Sequence, residues 1–414
     1  MTRFFRAACL LAFLVAATTA SGAGLDPARL ARIGAAIEAE VAAGRIPGAV
    51  ALVALDGDVV FHRSYGYADI ALARPMQNDA IFRIASMTKA VTSVGVMLLY
   101  ERGHFLLNDP VSKFIPGFQN PTVAIEFGED GLVSATRPAA REIRIVDLLS
   151  HSSGISYLFL DGPLTAQYRA AGIIDGLTTS DTRLADVMER LAAQPLLFDP
   201  GERFEYGLNT DVLGYLIEVI SGKGLDRFFA EEIFAPLGME DTHFYLPDAK
   251  AGRLATLYAE VDGELIVSDG SEGPIDLDDP DYPVKGAKAY FSGGAGLSST
   301  AQDYFRFVQM LANDGELDGK RLLGRKSVEL MRAPRLLLPW SPGASFGLGF
   351  QVTDDLGAAG ELGSAGAYSW GGIFNTSFWI DPDEGLVGVV MTQVLPTTST
   401  VTQRFRTLTY QALK

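Results

Sequence analysis

Ser86 and Lys89 stand three residues apart in Ser86-Met87-Thr88-Lys89, ahead of an apolar stretch that includes Val91, Val94, Met97 and Leu98 and ends near Arg102. If that stretch is a helix, positions i and i+3 share a face, so the lysine nitrogen can approach the serine oxygen. A serine hydroxyl attacks a carbonyl efficiently only when a neighbouring base takes its proton, and an amine held at that place can do so. Ile81-Phe82-Arg83-Ile84 reads as extended chain and Gly103 suits a helix exit, which puts Ser86 in the first helical turn. The pattern points to acyl transfer through a serine.

The other chemistry-bearing residues fit less well. Gly343-Ala344-Ser345-Phe346-Gly347 has the spelling of a Gly-x-Ser-x-Gly nucleophile elbow, which needs a strand before it and a helix after. Here Gly347 to Val352 reads as a strand, and the last of the four histidines, His243, comes before Ser345, so the order of that triad also fails. Ser345 reads as part of a surface turn. His62, His104, His151 and His243 show no paired ligand spacing, and His151, in Leu149-Ser150-His151-Ser152-Ser153-Gly154, suits a loop-bracing hydrogen bond. Asp276, Asp278, Asp279 and Asp281 crowd together without the Gly turn and closing Glu of a calcium loop, so they read as a solvated acidic loop. No metal site is expected.

The elements that must position Ser86 are legible in outline. Asp26 and Pro27 serve as N-cap and first residue of a helix running through Leu30, Ile33, Ile37 and Val41 to Gly44. A hairpin follows, with arms Gly48 to Leu55 and Val59 to Tyr67 around Asp56-Gly57. From Ser86 to about Leu246 the patterns are mostly helical. Beyond the acidic loop come a helix from Thr300 to Asn313, strands Thr376 to Ile380 and Leu386 to Thr392, and a last helix from Thr400 to Leu413. Strands at both chain ends pack most simply as one antiparallel sheet covered by the terminal helices, an α/β fold of the α+β type, with the helical middle as a second lobe and a cleft between them. That gives a sheet lobe of about 24–85 and 286–414 and a helical lobe of about 86–285.

A formal charge of −16 on 414 residues argues against nucleic acid and anionic membrane as partners, since phosphates must be met by clustered cations. Arg3 and Arg6, the apolar run from Ala7 to Ala17 and the small residues up to Ala23 form a signal peptide over 1–23, with cleavage expected after Ala20 or Ala23. The run is too short to span a bilayer. The expected location is the periplasm or the medium, with no membrane span after cleavage. The only cysteine, Cys9, lies inside that segment, so the mature chain has neither disulfide nor cysteine nucleophile.

Four segments taken together, Ser86-Met87-Thr88-Lys89, Tyr206-Gly207-Leu208, Ser292 to Thr300 and Trp370-Gly371-Gly372, resemble the serine β-lactamase, penicillin-binding protein and family VIII carboxylesterase group. The resemblance spans roughly residues 48–392 and implies the serine β-lactamase or D-Ala-D-Ala peptidase-like fold. It also implies that Ser86 is the nucleophile, that Lys89 and Tyr206 relay protons, that the backbone N–H groups of Ser86 and Ile373 form the oxyanion hole, and that no cofactor is needed. Trp370, Gly371, Gly372 and Leu208 then face the substrate, and Tyr157, Leu158, Phe159 and Leu160 fit a cleft wall. The group's usual Lys-Thr-Gly strand recognises a substrate carboxylate by charge and hydroxyl, which Trp370-Gly371-Gly372 lacks. Its Tyr-x-Asn motif has Leu208 in place of the amide. Both departures favour neutral carboxylic esters, and Trp370-Gly371-Gly372 resembles the pattern of the family VIII carboxylesterases. A β-lactamase or D-amino-acid peptidase with the same machinery remains open, as does a β-lactam or wall-peptide binder that deacylates slowly or not at all. Oligomeric state is not legible.

Overall fold

The computed structural model describes residues 24–272 and 280–414. The expected signal peptide and Asp276, Asp278 and Asp279 therefore lie outside the described residues. Asp26 caps a first turn, Pro27–Leu30, by accepting from the N–H groups of Ala28 and Arg29 (2.9 and 3.1 Å), and helix α1 follows over Arg32–Ala42. Strands β1 (Gly48–Leu55) and β2 (Asp58–Asp69) form the expected hairpin, with Asp56 and Gly57 both at positive φ, and β3 is Arg74–Pro75. Helix α2 (Thr88–Glu101) is buried from Thr88 through Leu99, and α3 (Asn209–Ser221) packs against it. Helix α4 (Ala301–Ala312), strands β4 (Leu336–Leu337), β5 (Ala344–Phe346), β6 (Gln351–Thr353), β7 (Tyr368–Gly372), β8 (Thr376–Asp381) and β9 (Leu386–Met391), and helix α5 (Val401–Tyr410) complete the frame.

One nine-stranded antiparallel sheet runs in the order β4-β5-β6-β7-β8-β9-β1-β2-β3. β1 joins distant parts of the chain within it, pairing with β2 on one side and on the other with β9 (Val50 opposite Met391, Leu55 opposite Leu386). Alternation sorts β1 between two cores. Val50, Leu52 and Ala54 face the interior shared with α2 and α4, while Ala49, Ala51 and Val53 face α1 and α5. A strand covered on both faces reads as an unbroken apolar run, which Gly48-Ala49-Val50-Ala51-Leu52-Val53-Ala54-Leu55 is.

Two readings of the sequence are corrected. The middle of the chain also holds two hairpins, Thr122–Phe127 with Val133–Pro138 and Tyr258–Val261 with Glu264–Val267. These arms are short and partly exposed, so their period of two is carried by too few apolar residues to stand out. The strand expected over Gly347 to Val352 begins only at Gln351, because Gly347 N–H closes a turn onto Phe350 C=O at 2.8 Å.

Gly388 of β9 sits opposite Trp379, whose ring fills the space a side chain at 388 would need: an added Cβ would lie 2.1 Å from it. Gly388→Ala is expected to cost about 1–3 kcal/mol by overpacking. The urea midpoint should fall accordingly, and Trp379→Leu in the same chain should return part of the loss.

Candidate active site

Between Ile84 and Thr88 the chain turns from extended to helical. Ile84 N–H donates to Leu297 C=O (3.0 Å), Ala85 takes a φ of 41°, and one 3₁₀ turn over Ala85–Met87 leads into α2. An alanine in the left-handed region costs roughly 1 kcal/mol. Its surroundings hold it there: Tyr304 of α4 donates to Met87 C=O at 2.9 Å, and Leu297 N–H donates to Thr88 Oγ1 at 3.1 Å. From Ala80 to Leu99 every residue is buried except Ser86, which is where this stretch meets the cleft.

Lys89 is 1% exposed. Its Nζ donates to Ser86 Oγ at 3.1 Å and to Gly294 C=O at 2.9 Å, and lies over the rings of Tyr206 and Tyr157 at 4.6 and 5.1 Å from their centroids. Two oxygens and two ring faces replace its water, each desolvated ring contact contributing about 2 kcal/mol. The Gly294 carbonyl belongs to a turn that is itself tied down. Ser292 Oγ accepts from Ala295 N–H at 3.0 Å and donates to Asp211 Oδ1 at 2.7 Å. Asp211, in the first turn of α3, is fully buried; burial pushes its carboxyl up to about 6, against the Ser292 hydrogen bond and the charge of Lys89, which both pull it down.

Tyr206 completes the cluster, its hydroxyl donating to Ser86 Oγ at 2.7 Å. The backbone around it is pinned to the loop after residue 150, with Glu205 N–H on His151 C=O (2.7 Å) and Leu208 N–H on Ser156 C=O (3.3 Å). The His151 ring packs 5.0 Å from the Tyr206 ring. Burial first, and the nearby charge of Lys89 second, hold His151 well below the usual imidazole range. It is therefore neutral, and its Nδ1 lies 3.1 Å from Asn209 Nδ2 and accepts from Gly207 N–H at 3.4 Å. His151 braces the tyrosine, the role its loop setting suggested.

Strand β7 forms the opposite wall. Trp370 lies 5.7 Å from Tyr206 and 5.1 Å from Phe346, ring to ring. Gly372 lets the strand press against the nucleophile turn, since a Cβ there would stand 2.3 Å from Ile84 C=O and 2.3 Å from Thr376 Oγ1. That contact sets Ile373 beside Ser86 on the wall of a cavity of about 460 Å³, with Phe159, Tyr206, Trp340 and Trp370 around them. A serine held by a phenol and an ammonium, under aromatic walls and open to solvent, can be acylated.

Ser86, Lys89, Tyr206, Trp370, Gly371 and Ile373 come together here. Leu208 does not: its side chain is fully buried in the main core, so its apolar character serves packing beneath the tyrosine rather than substrate contact. Gly372 acts through the absence of a side chain. Of the four cleft-wall candidates only Phe159 lines the cavity; Tyr157 is buried beneath it, Leu158 packs partly against the core and Leu160 is exposed. Ser345 lies on β5, buried, with its hydroxyl on the Asp354 carboxylate. Among the described residues no three His, Cys, Asp or Glu side chains gather as a metal site, and Asp281 pairs with Lys285. Asp211 escaped the sequence reading, and Tyr157, read as cleft wall, instead sets its ring against Lys89. An acidic residue in a first helical turn reads as dipole compensation, and only the fold shows that it is sealed beside Lys89.

The chain matches the family described as Beta-lactamase over residues 33–412. Protein Rv1367c of Mycobacterium tuberculosis is 35% identical over 368 residues, covering 86% of this chain and 87% of that one. Esterase EstB of Burkholderia gladioli is 34% identical over 383 residues, covering 89% and 91%. Among solved structures, EstCE1, described as a hydrolase with promiscuous acyltransferase activity, is similar with a TM-score of 0.81 at 30% identity, over 92% of this chain and 99% of that one.

Asp211 gives the site a pH signature. Its folded pKa of about 6 lies above the ordinary carboxylate value of 3.8, so between those values the native state holds more protons than the unfolded state. Its contribution to stability is present below pH 4 and lost as pH rises through 6. Asp211→Asn removes this dependence. The unfolding free energy of the parent relative to the variant should fall by about 2 kcal/mol between pH 4 and pH 7, measured by urea denaturation at both.

Proposed function

The chain belongs to the beta-lactamase family, and from that premise we propose that this serine hydrolase cleaves carboxylic esters through an acyl-enzyme on Ser86. The observation that carries the proposal is the convergence of Tyr206 Oη (2.7 Å) and Lys89 Nζ (3.1 Å) on Ser86 Oγ at an aromatic cavity wall. In the reacting form the Tyr206 and Lys89 pair holds one proton fewer than phenol plus ammonium, so that as Ser86 Oγ attacks the carbonyl carbon its proton passes to that pair, which later gives it to the departing alkoxide. The backbone N–H groups of Ser86 and Ile373 receive the carbonyl oxygen as it gains charge. The alkoxy bond breaks, the alcohol leaves with the proton, and water repeats the sequence to release the acid. Lys89, fixed between Ser86 and Gly294, holds the charge balance while the phenol changes partners.

Two features favour esters over β-lactams. Beside the nucleophile, β7 presents Trp370-Gly371-Gly372, which supplies neither cation nor hydroxyl for a carboxylate next to the scissile bond. Trp370, Tyr206, Phe159 and Trp340 instead offer apolar area. The ester-cleaving name of EstB is in keeping with this reading. Alcohols that compete with water for the same acyl group would be accepted on the same walls, as the description of EstCE1 suggests by analogy. Export to the periplasm or medium belongs to the proposal, on the strength of residues 1–23.

Purified mature protein should turn over p-nitrophenyl butyrate and act poorly on nitrocefin. Ser86→Ala should abolish ester turnover while Ser345→Ala leaves it intact; dominant nitrocefin hydrolysis, or loss with Ser345→Ala alone, overturns the assignment. A burst of p-nitrophenol without steady turnover would instead identify a slowly deacylating binder. Tyr206→Phe is expected to lower kcat about 10²–10⁴-fold with little change in KM, read from initial rates over a range of substrate concentrations.

A further inference from the structure

The cavity at Ser86 does not stop at Ile373. It continues past Gly371 and Ser369 of β7 to reach Glu361, in the loop between β6 and β7, and Arg406 of α5. Two features of the strand allow this. β7 pairs with β6 only through Tyr368 and Ser369, which leaves its edge from Trp370 to Gly372 without a partner on that side. Gly371 adds no side chain, and the nearest atom to a Cβ built there is Thr376 O at 3.2 Å. A ligand chain can cross the sheet edge at that saddle.

The far end of this arm carries an arginine paired with a carboxylate. The Arg406 side chain is 14% exposed, and its Nη1 meets Glu361 Oε2 at 3.2 Å. Its guanidinium lies 5.9 Å from the centre of the Tyr410 ring, and its buried Nε has no hydrogen-bond partner among the described residues. Glu361 is 51% exposed. An arginine held on a cavity wall and paired with a carboxylate that water already reaches can exchange that partner for a ligand carboxylate at small cost, because the swap keeps the arginine paired and returns Glu361 to water.

We propose that this arm is an acyl-chain subsite that binds a carboxylate at the far end of the acyl group, so that long ω-carboxy acyl esters are preferred substrates. The proposal rests on the Ser86 esterase reading. Tyr206 Oη sits at the nucleophile as the proton donor for the departing alcohol, so the acyl chain is the substituent left to follow β7. From Ile373 to Ser369 is four residues, about 13 Å at strand spacing, which an acyl chain of about ten carbons covers. The carboxylate that the region beside the nucleophile cannot hold is accommodated at the opposite end of the cavity.

The test compares mono-p-nitrophenyl sebacate with its terminal-amide counterpart of equal length, in the parent, Arg406→Gln and Glu361→Gln proteins, with p-nitrophenyl butyrate as reference. The expected result is a preference for the carboxylate of about tenfold in kcat/KM, carried by KM, in the parent. It should vanish in Arg406→Gln, grow in Glu361→Gln where the competing carboxylate is gone, and leave butyrate turnover unchanged in all three. Equal turnover of both sebacic probes by a parent that hydrolyses the butyrate ester overturns this inference alone. Failure on the butyrate ester overturns the esterase reading and this inference with it. If Arg406→Gln loses butyrate activity by misfolding, Glu361→Gln decides, and an unchanged preference there also overturns the assignment.

Discussion

A lysine ammonium almost wholly removed from water must be given acceptors at fixed places, and in this protein they come from distant parts of the chain. Lys89 reaches Ser86 on the turn that leads into its helix and the Gly294 carbonyl from a turn more than two hundred residues later. That turn is held by Ser292, Ser292 by Asp211, and Asp211 by its place at the start of α3, just after Tyr206. The proton-handling residues are thus joined behind the cleft as well as within it. An unpaired buried charge is expensive, so a fault anywhere along this path threatens the position of Lys89 before it threatens the cleft walls.

The second requirement is close approach. Ser86 stands on a turn with Ala85 at positive φ, and β7 must come near enough to bring Ile373 beside it. Gly372 permits that contact by giving Ile84 C=O and Thr376 the space of a missing Cβ. The sheet and the helical body therefore meet at backbone rather than at side chains, which suits a site whose oxyanion donors are peptide N–H groups. Aromatic rings close the remaining sides, with Tyr206 shared between His151, Tyr157 and Trp370.

The parts legible in the sequence are those with local signatures. The Ser86 and Lys89 spacing, the Asp56-Gly57 hairpin and the apolar run of β1 each depend on neighbours within a few residues, and the pattern at both chain ends sufficed to place one sheet. What escaped depends on burial and on long-range partners. Leu208 looked like a substrate contact because its motif position suggested one, yet its side chain turns into the core. Asp211 stands in the first turn of a helix, where an acidic residue is ordinary, and nothing near it in sequence announces the turn from Ser292 to Ala295 above it. The hairpins at 122–138 and 258–267 were missed because their outer faces are solvated and their alternation is short.

The pairing of β1 with β9 sets an order on how this chain can become a protein. That pair joins residues near 50 to residues near 390, so the first hairpin emerges from synthesis with one long apolar edge that has no partner until more than three hundred further residues have followed. Contacts this far apart in sequence make folding slow, and an open apolar edge is a template for pairing with other chains. During that wait the chain is exposed to aggregation and depends on whatever shields it. A nascent chain that ends before β9 leaves β1 uncovered on that side, and until β9 arrives the catalytic turn has no finished sheet to lean on.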